Sequence, residues 1–339
     1  MKDLAYYNGK ITSIDDMMIP ANDRGFYFGD GIYEAAMVFD YKIYALQDHL
    51  DRMFNSAAML RIELPYTKEE VGALLTDLVQ KLESSCQFLY WQVTRGTSPR
   101  NHLFPGEGVS SNLYVYSKPW KGVQMSDEYR LISIPDTRFY HCNIKTLNLI
   151  PNVMAAQQAS EAGCNETVFV RDGYVTECSH SNISMVKDGV FITHPLDNLI
   201  LPGTERKHII RWCGELGIPV KERAFTLEEL YTADEILVTS TSHPSMRAME
   251  LNQKAVGMKE YASKYVRQSY SLRMFFCFAG VAVSVFAPCF HPIAAIIPLL
   301  MPQLVIYAMR ALGLYKPDKP KETPAEAADI DSDLEGDRS

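Results

Sequence analysis

Apolar and polar residues alternate from the start of the chain, and the period of the alternation changes along it. LAYYNGKITSI (4–14) alternates on both sides of Asn8-Gly9. Asn-Gly accepts the positive φ of a type I′ turn, so the segment predicts two strands closed as a hairpin. YEAAMVFDYKIYAL (33–46) predicts a second hairpin. In LQDHLDRMFNSAAMLRI apolar residues recur at 46, 50, 53, 54, 57 and 60, the spacing of one helical face, with Asp48 as the expected cap. TKEEVGALLTDLVQKLE opens on Thr67 and Glu70, a T-x-x-E capping box, and predicts another helix. FLYWQVTRG and NLYVYSK read as strands, and Pro119–Gly122 is the expected linker to a second half.

Beyond the linker the pattern predicts strands near 129–134, 167–170, 174–176, 183–186 and 190–192, and helices near 152–162, 204–215 and 226–231. Both halves mix helix and strand. The expected fold class is therefore α+β, with domains over 1–118 and 123–272 joined by 119–122.

The pattern then stops alternating. From Met274 to Met309, 36 residues contain no Asp, Glu, Lys or Arg. One straight helix of that length would be roughly 54 Å, against a hydrocarbon core of about 30 Å. Pro288 and Pro292, with Cys289 and His291 around them, divide the run into pieces of 14 and 17 residues. Residues 273–310 are therefore expected to form an apolar helical hairpin in a membrane. Cations on both flanks, Arg267 and Arg273 before and Arg310, Lys316, Lys319 and Lys321 after, favour both ends on the cytoplasmic side. The competing reading is a C-terminal helical pair buried in a dimer. Residues 311–339 are Pro-rich and then acidic, the composition of a disordered tail.

Charge and cysteine content narrow the function. The formal charge is −8 with scattered cations, which argues against a nucleic-acid partner. Seven cysteines without a C-x-x-C pair argue for a reducing compartment and against a structural zinc. No apolar leader is apparent in MKDLAYYNGKITSIDD, so a cytoplasmic protein is expected, tethered to the inner face of the membrane if the apolar run inserts.

HCNIKTLNLIPN (141–152) sets Lys145 among Ile144, Leu147, Leu149 and Ile150, just before the helix-entry pair Pro151-Asn152. Such a lysine either snorkels its head to solvent or is a desolvated amine able to form a Schiff base. Position alone does not choose between them. VTECSHSN (175–182) carries Glu177, either a turn residue or a carboxylate of the kind that holds a pyridinium nitrogen protonated. LPGTER (201–206) puts Gly203 and Thr204 at a helix start, a natural phosphate seat, and VTSTS (238–242) adds hydroxyls at Ser240 and Thr241. Arg52 reads equally as a surface cation. FYFGDGIYE (26–34) suggests a tight backbone passage before Tyr33 enters a strand. TRGTSPRNHLFP (94–105) is a loop crowded with Arg95, Arg100 and His102, cations able to hold a carboxylate.

Taken together and in order, FGDGIYE, HLDRM, VTRGTSPRNH, IKTLNL, TECSHSN and VTSTS resemble the fold-type IV pyridoxal-phosphate enzymes, the class-IV aminotransferase family, over roughly residues 1–270. Within it the SPRNH loop is most similar to the D-amino acid aminotransferases. The resemblance implies a two-domain fold and pyridoxal 5′-phosphate as cofactor. Lys145 would form the imine with the cofactor and shuttle the proton between Cα and C4′. Glu177 would pair with the pyridine nitrogen, Leu201 would pack on the ring, and Arg52 would bind the phosphate with Gly203, Thr204, Ser240 and Thr241 near it. Tyr33, Arg100 and His102 would trap the substrate carboxylate, the last two reaching across a homodimer. The implied substrates are D-alanine, D-glutamate or D-aspartate and a 2-oxo acid such as 2-oxoglutarate, in a ping-pong transamination. Three rivals remain: an L-branched-chain aminotransferase, an aminodeoxychorismate lyase, and a catalytically silent, membrane-tethered binding protein. Four positions depart from the family pattern: Glu205 stands at the phosphate seat in place of a threonine, Ser184 in place of an aromatic, and Cys178 and His180 in place of small residues. Either Thr204 supplies the missing hydroxyl or Glu205 turns outward.

Overall fold

A computed structural model describes residues 2–121 and 129–256. The first half builds a six-stranded antiparallel sheet. β1 (Leu4–Tyr7) and β2 (Lys10–Thr12) close over Asn8 and Gly9, whose φ angles of 44° and 97° give the predicted type I′ turn. A short helix, α1 (Arg24–Phe28), leads through Gly29 into β3 (Gly31–Phe39) and β4 (Lys42–Ile43). Helices α2 (Leu46–Met59) and α3 (Lys68–Gln80) follow, then β5 (Gln87–Thr94) and β6 (Asn112–Pro119). The strand order is β2-β1-β6-β5-β3-β4.

The alternation in β5 sorts its two faces. Leu89, Trp91 and Val93 point into a core capped by Leu50, Met53 and Ala57 of α2 and Val71, Leu75 and Leu78 of α3. The opposite face carries a row of aromatic rings, Tyr33 on Tyr90 (5.7 Å between centroids) and Tyr90 on Tyr116 (5.0 Å). Thr67 and Glu70 form the predicted capping box of α3.

The second half supplies β7 (Tyr129–Pro135), α4 (Ile150–Glu161), β8 (Glu166–Arg171), β9 (Tyr174–Cys178), β10 (Asn182–Lys187), β11 (Val190–Thr193) and α5 (Thr204–Glu215). It continues with β12 (Val220–Glu222), β13 (Phe225–Thr226), α6 (Leu227–Tyr231), β14 (Glu235–Thr239), β15 (Met246–Leu251) and β16 (Lys254–Ala255). These strands form one mixed sheet in the order β12-β11-β10-β14-β15-β7-β8-β9-β13, with β16 paired to β15. Its core gathers Leu131, Val168, Ile183, Met185, Ile236, Val238 and Leu251.

Several expectations need correction. Asp48 does not cap α2. The cap position is Ala45, in the left-handed region at φ 50°, with no side-chain bond, and Asp48 sits in the first turn. There its carboxylate meets Lys207 and His208 of α5, so it ties two helices together as well as complementing the helix dipole. Ile150, expected among buried neighbours, is 75% exposed. The sequence pattern does not announce helix α1 or strands β12, β13, β15 and β16. All but β15 have five residues or fewer, too short for a periodic signal. Pro119 ends a strand, so the expected linker begins inside β6. The expected membrane hairpin (273–310) and acidic tail (311–339) lie outside the described residues. Among the described residues no helix is long and apolar enough to cross a membrane.

Gly31 joins the first sheet to the segment that carries Lys145. A Cβ on it would lie 2.5 Å from the Val93 carbonyl oxygen and 2.8 Å from Leu147 Cδ1. The close approach lets the Leu147 N–H donate to the Gly31 carbonyl at 3.0 Å. Gly31→Ala is expected to destabilise the fold by about 1–3 kcal/mol through this overpacking. Urea denaturation measures it; an unchanged midpoint would mean that the segment yields without cost.

Candidate active site

The segment between β7 and α4 is pinned to the first sheet by its backbone. The Tyr33 N–H donates to the Lys145 carbonyl (2.9 Å), the Lys145 N–H to Ser56 Oγ (3.3 Å), and Thr146 bridges to Ile32. Ile144 anchors the segment in the first core. The half-buried Lys145 side chain lines a cavity of about 250 Å³. Its Nζ lies 4.1 Å from the centre of the Tyr33 ring. No hydrogen bond or ion pair reaches Nζ among the described residues.

Glu177 lines the same cavity from the end of β9. Its Oε2 accepts from Asn182 Nδ2 (3.0 Å) and from the Leu201 N–H (2.9 Å). Its Oε1 accepts from Arg138. Burial pushes the Glu177 carboxyl above its ordinary range, and the Arg138 guanidinium pulls against that. Arg138 is itself fixed by Asp136, donating at 3.0 and 2.9 Å, by Thr176 Oγ1 (3.2 Å) and by the Leu199 carbonyl (3.1 Å). Burial would raise the Asp136 carboxyl, but its bonds and charge contact with Arg138 hold it below the usual range. Arg138 and Asp136 escape the sequence reading. The local signal is the Asp-x-Arg spacing of PDTR, which says nothing of a partner 39 residues away.

Arg52 is not a surface cation. It is buried, and its guanidinium grips Glu34 through two bonds of 2.7 Å while Nη1 donates to the Pro202 carbonyl at 3.0 Å. His49 Nδ1 lies 2.9 Å from the same carboxylate. Burial alone would raise the Glu34 carboxyl; the Arg52 charge and these bonds hold it at about 2. Burial lowers the His49 pKa. Glu34 and His49 also escape the sequence reading, because both look like ordinary strand and helix residues until the fold joins them.

The cavity wall is completed by the start of α5 and the end of β14. Gly203 precedes α5 with no side-chain cap, so the first N–H groups of the helix lack intrahelical partners. Thr204, Ser240 and Thr241 line the cavity here, as does Leu201. A Cβ on Gly203 would collide with Asn182 Oδ1, so glycine is what lets the turn lie against the residue that supports Glu177. Glu205 does not turn outward: it is 3% exposed, lines the cavity, and its Oε1 has no partner. Burial and the Asp48 charge raise its carboxyl to about 7.

Of the three expected carboxylate-trapping residues, only Tyr33 lines this cavity. Arg100 and His102 are exposed on their loop, the Arg100 guanidinium over the Phe28 ring at 5.2 Å and the His102 ring tilted against it at 5.2 Å. His102 lines a second cavity of about 300 Å³ with Arg24, Asp30 and Phe104. Of the departures from pattern, Ser184 bonds Thr193 Oγ1 (3.0 Å), Cys178 is buried, and His180 pairs with Glu166 beside the cavity.

The arrangement sets an unpaired amine between a carboxylate held by a guanidinium and a wall of hydroxyl and helix N-terminal N–H donors. Such a cavity suits an aromatic aldehyde that carries a basic ring nitrogen and a phosphate.

Comparisons with known proteins agree. The family model for amino-transferase class IV matches residues 31–251. A D-alanine aminotransferase of Listeria monocytogenes serotype 4b (strain F2365) is 41% identical over 240 residues, 69% of this chain and 83% of that protein. The structure of a branched-chain aminotransferase from Thermoproteus uzoniensis with norvaline aligns with a TM-score of 0.71 at 22% identity, covering 78% of this chain and 92% of that one. A branched-chain amino acid aminotransferase from Escherichia coli aligns with a TM-score of 0.69 at 22% identity, covering 80% and 93%. At that identity the two structures speak for the fold.

Replacing Glu34 by Gln would leave Arg52 buried without its anion. Because folding lowers the Glu34 pKa, its contribution is full above the unfolded value of 4.5 and fades as pH falls toward about 2. Glu34→Gln is expected to cost about 3 kcal/mol at pH 7, and the gap from wild type should shrink by about half at pH 3. Urea titrations at the two pH values measure it; a gap that does not change would contradict this assignment.

Proposed function

The chain belongs to the class IV aminotransferase family, and on that premise we propose that it transfers the amino group of a D-amino acid to a 2-oxo acid, with pyridoxal 5′-phosphate as cofactor. The observation that carries this reading is the unpaired Lys145 amine in a cavity shared with Glu177. When bound, the cofactor supplies an electron-accepting ring that stabilises charge developing at the substrate Cα.

The chain's own groups do the rest. Lys145 would hold the cofactor and, as the amine beside the reacting centre, would take up and give back the proton at the substrate Cα. Its backbone ties to Tyr33 and Ser56 keep the amine on one face, so the reacting enantiomer is decided by where the substrate carboxylate is held. Glu177, backed by Arg138, would hold a basic ring nitrogen protonated. Arg52, Thr204, Ser240, Thr241 and the α5 N-terminus would hold the phosphate, and Leu201 would pack on the ring. Tyr33 holds the carboxylate together with Arg100 and His102 from a second copy of the chain. The exposed position of that loop supports the exchange, since both side chains lie off the cavity of their own chain. The two sheets, seen over residues 2–121 and 129–256, support a division into domains over 1–118 and 123–272.

The D-specific reading is supported by the curated relative, a D-alanine aminotransferase 41% identical over 240 residues. Mixing the full chain with D-alanine or with L-leucine, and following the cofactor spectrum, tests it. D-alanine should convert the cofactor and L-leucine should not. Arg100→Ala should keep the cofactor and lose about 10- to 100-fold in the D-alanine rate constant, the worth of a charged hydrogen bond. Unchanged turnover in Arg100→Ala would remove Arg100 from the carboxylate site.

A further inference from the structure

Glu205 is a titratable group of the cavity wall that the proposed chemistry does not use. It is the second residue of a twelve-residue helix whose N-terminus has no side-chain cap. It is only 3% exposed, lines the cavity beside Thr204, Ser240 and Thr241, and its Oε1 has no hydrogen-bond partner among the described residues. Arg52, the guanidinium on the same wall, is already neutralised by Glu34. An ionised carboxylate in this place would face a phosphate dianion with little positive charge to offset the repulsion. A neutral carboxyl would instead supply one O–H donor. We propose that Glu205 is a proton-carrying ligand of the cofactor phosphate: its neutral carboxyl donates a hydrogen bond to a phosphate oxygen, so that phosphate and proton bind together. The inference rests on the pyridoxal-phosphate reading above.

The surroundings agree with this assignment. From α2, Glu205 faces Asp48, with His49 and Arg52 on the same helix; from the segment before α2 it faces Tyr44. Asp48 is occupied by Lys207 and His208, and Tyr44 bonds His208 at 3.1 Å. On its own helix Arg206 is taken by Glu222 at 2.7 Å. From β14 and the segment before α4 come the Ser240 and Thr241 hydroxyls and Lys145. Among the described residues no neighbouring cation pairs with Glu205 itself. Burial and the Asp48 charge bring its carboxyl to about 7, within reach of proton uptake at neutral pH.

The sign of the linkage follows. Below about pH 7 the carboxyl is already neutral and phosphate binds without proton uptake by Glu205. Above it, each bound phosphate must bring a proton, and affinity falls by up to about tenfold per pH unit. Pyridoxamine 5′-phosphate is the probe, because it forms no covalent link to Lys145. Its own phosphate ionises at about pH 6, equally for every variant.

Equilibrium dialysis of the full chain with pyridoxamine 5′-phosphate at pH 6.5 and 8.5 should show wild-type affinity falling by roughly 20-fold relative to Glu205→Gln. Glu205→Thr, a second variant with a neutral donor, should behave as Glu205→Gln does. Titration calorimetry at pH 8 in buffers of different ionisation enthalpy should find close to one proton taken up by wild type beyond that in the variants. Pyridoxal, which lacks the phosphate, should show no such difference. Parallel pH profiles with tight binding retained overturn this role for Glu205 and leave the cofactor assignment standing. Failure of wild type and both variants to bind the probe at either pH overturns both.

Discussion

The site depends on a lysine amine that is held in a cavity without being given an anion. Among the described residues no carboxylate reaches the half-buried amine, because the neighbouring ones are bound elsewhere. Glu34 is taken by Arg52 and His49, Glu177 by Arg138, Asn182 and the Leu201 N–H, and Glu166 by Ser179 and His180. Had any of these carboxylates turned to Lys145, the amine would be a structural ion pair and a poor nucleophile. Its position is set instead by backbone bonds to Tyr33 and Ser56, which survive whatever the side chain does.

Local patterns in the sequence carry much of the fold. Asn8-Gly9, the Thr67–Glu70 box and the 3.6-residue spacing of α2 each contain the whole reason for the element they predict, within a few residues. Lys145, Glu177, Gly203, Thr204, Ser240 and Thr241 stand out locally as candidates and acquire roles, with Leu201, only through the family resemblance; all meet in one cavity together with Arg52 and Tyr33. What is not legible depends on contacts across the fold. Asp48 has the right residue type for a cap, yet it is spent on Lys207 and His208 of α5, 159 and 160 residues away. Arg138 and Glu34 are ordinary in sequence and acquire meaning only through the partners that folding brings. Arg100 and His102 lie outside the cavity of their own chain, so neither their spacing nor a single chain's geometry decides what they hold.

The two ends of the cavity differ in how firmly they are built. Around Glu177, an aspartate, an arginine and an asparagine satisfy one another, so the carboxylate has little freedom to move. At the α5 end no side chain caps the helix, and Glu205 stands in its first turn with Oε1 unpartnered among the described residues. A neutral carboxyl in the cavity wall there would favour phosphate binding more than an ionised one, so the proposed role of Glu205 would couple cofactor binding to pH.

The proposed function requires that the Lys145 amine be the nitrogen joined to the cofactor. Reducing the full-length protein with borohydride after loading it with pyridoxal 5′-phosphate, then mapping the peptides by mass, tests this directly. One pyridoxyl label is expected, on Lys145 in the peptide that contains IKTLNL. A label on another lysine, or none on a protein that is folded and saturated with the cofactor, would contradict it.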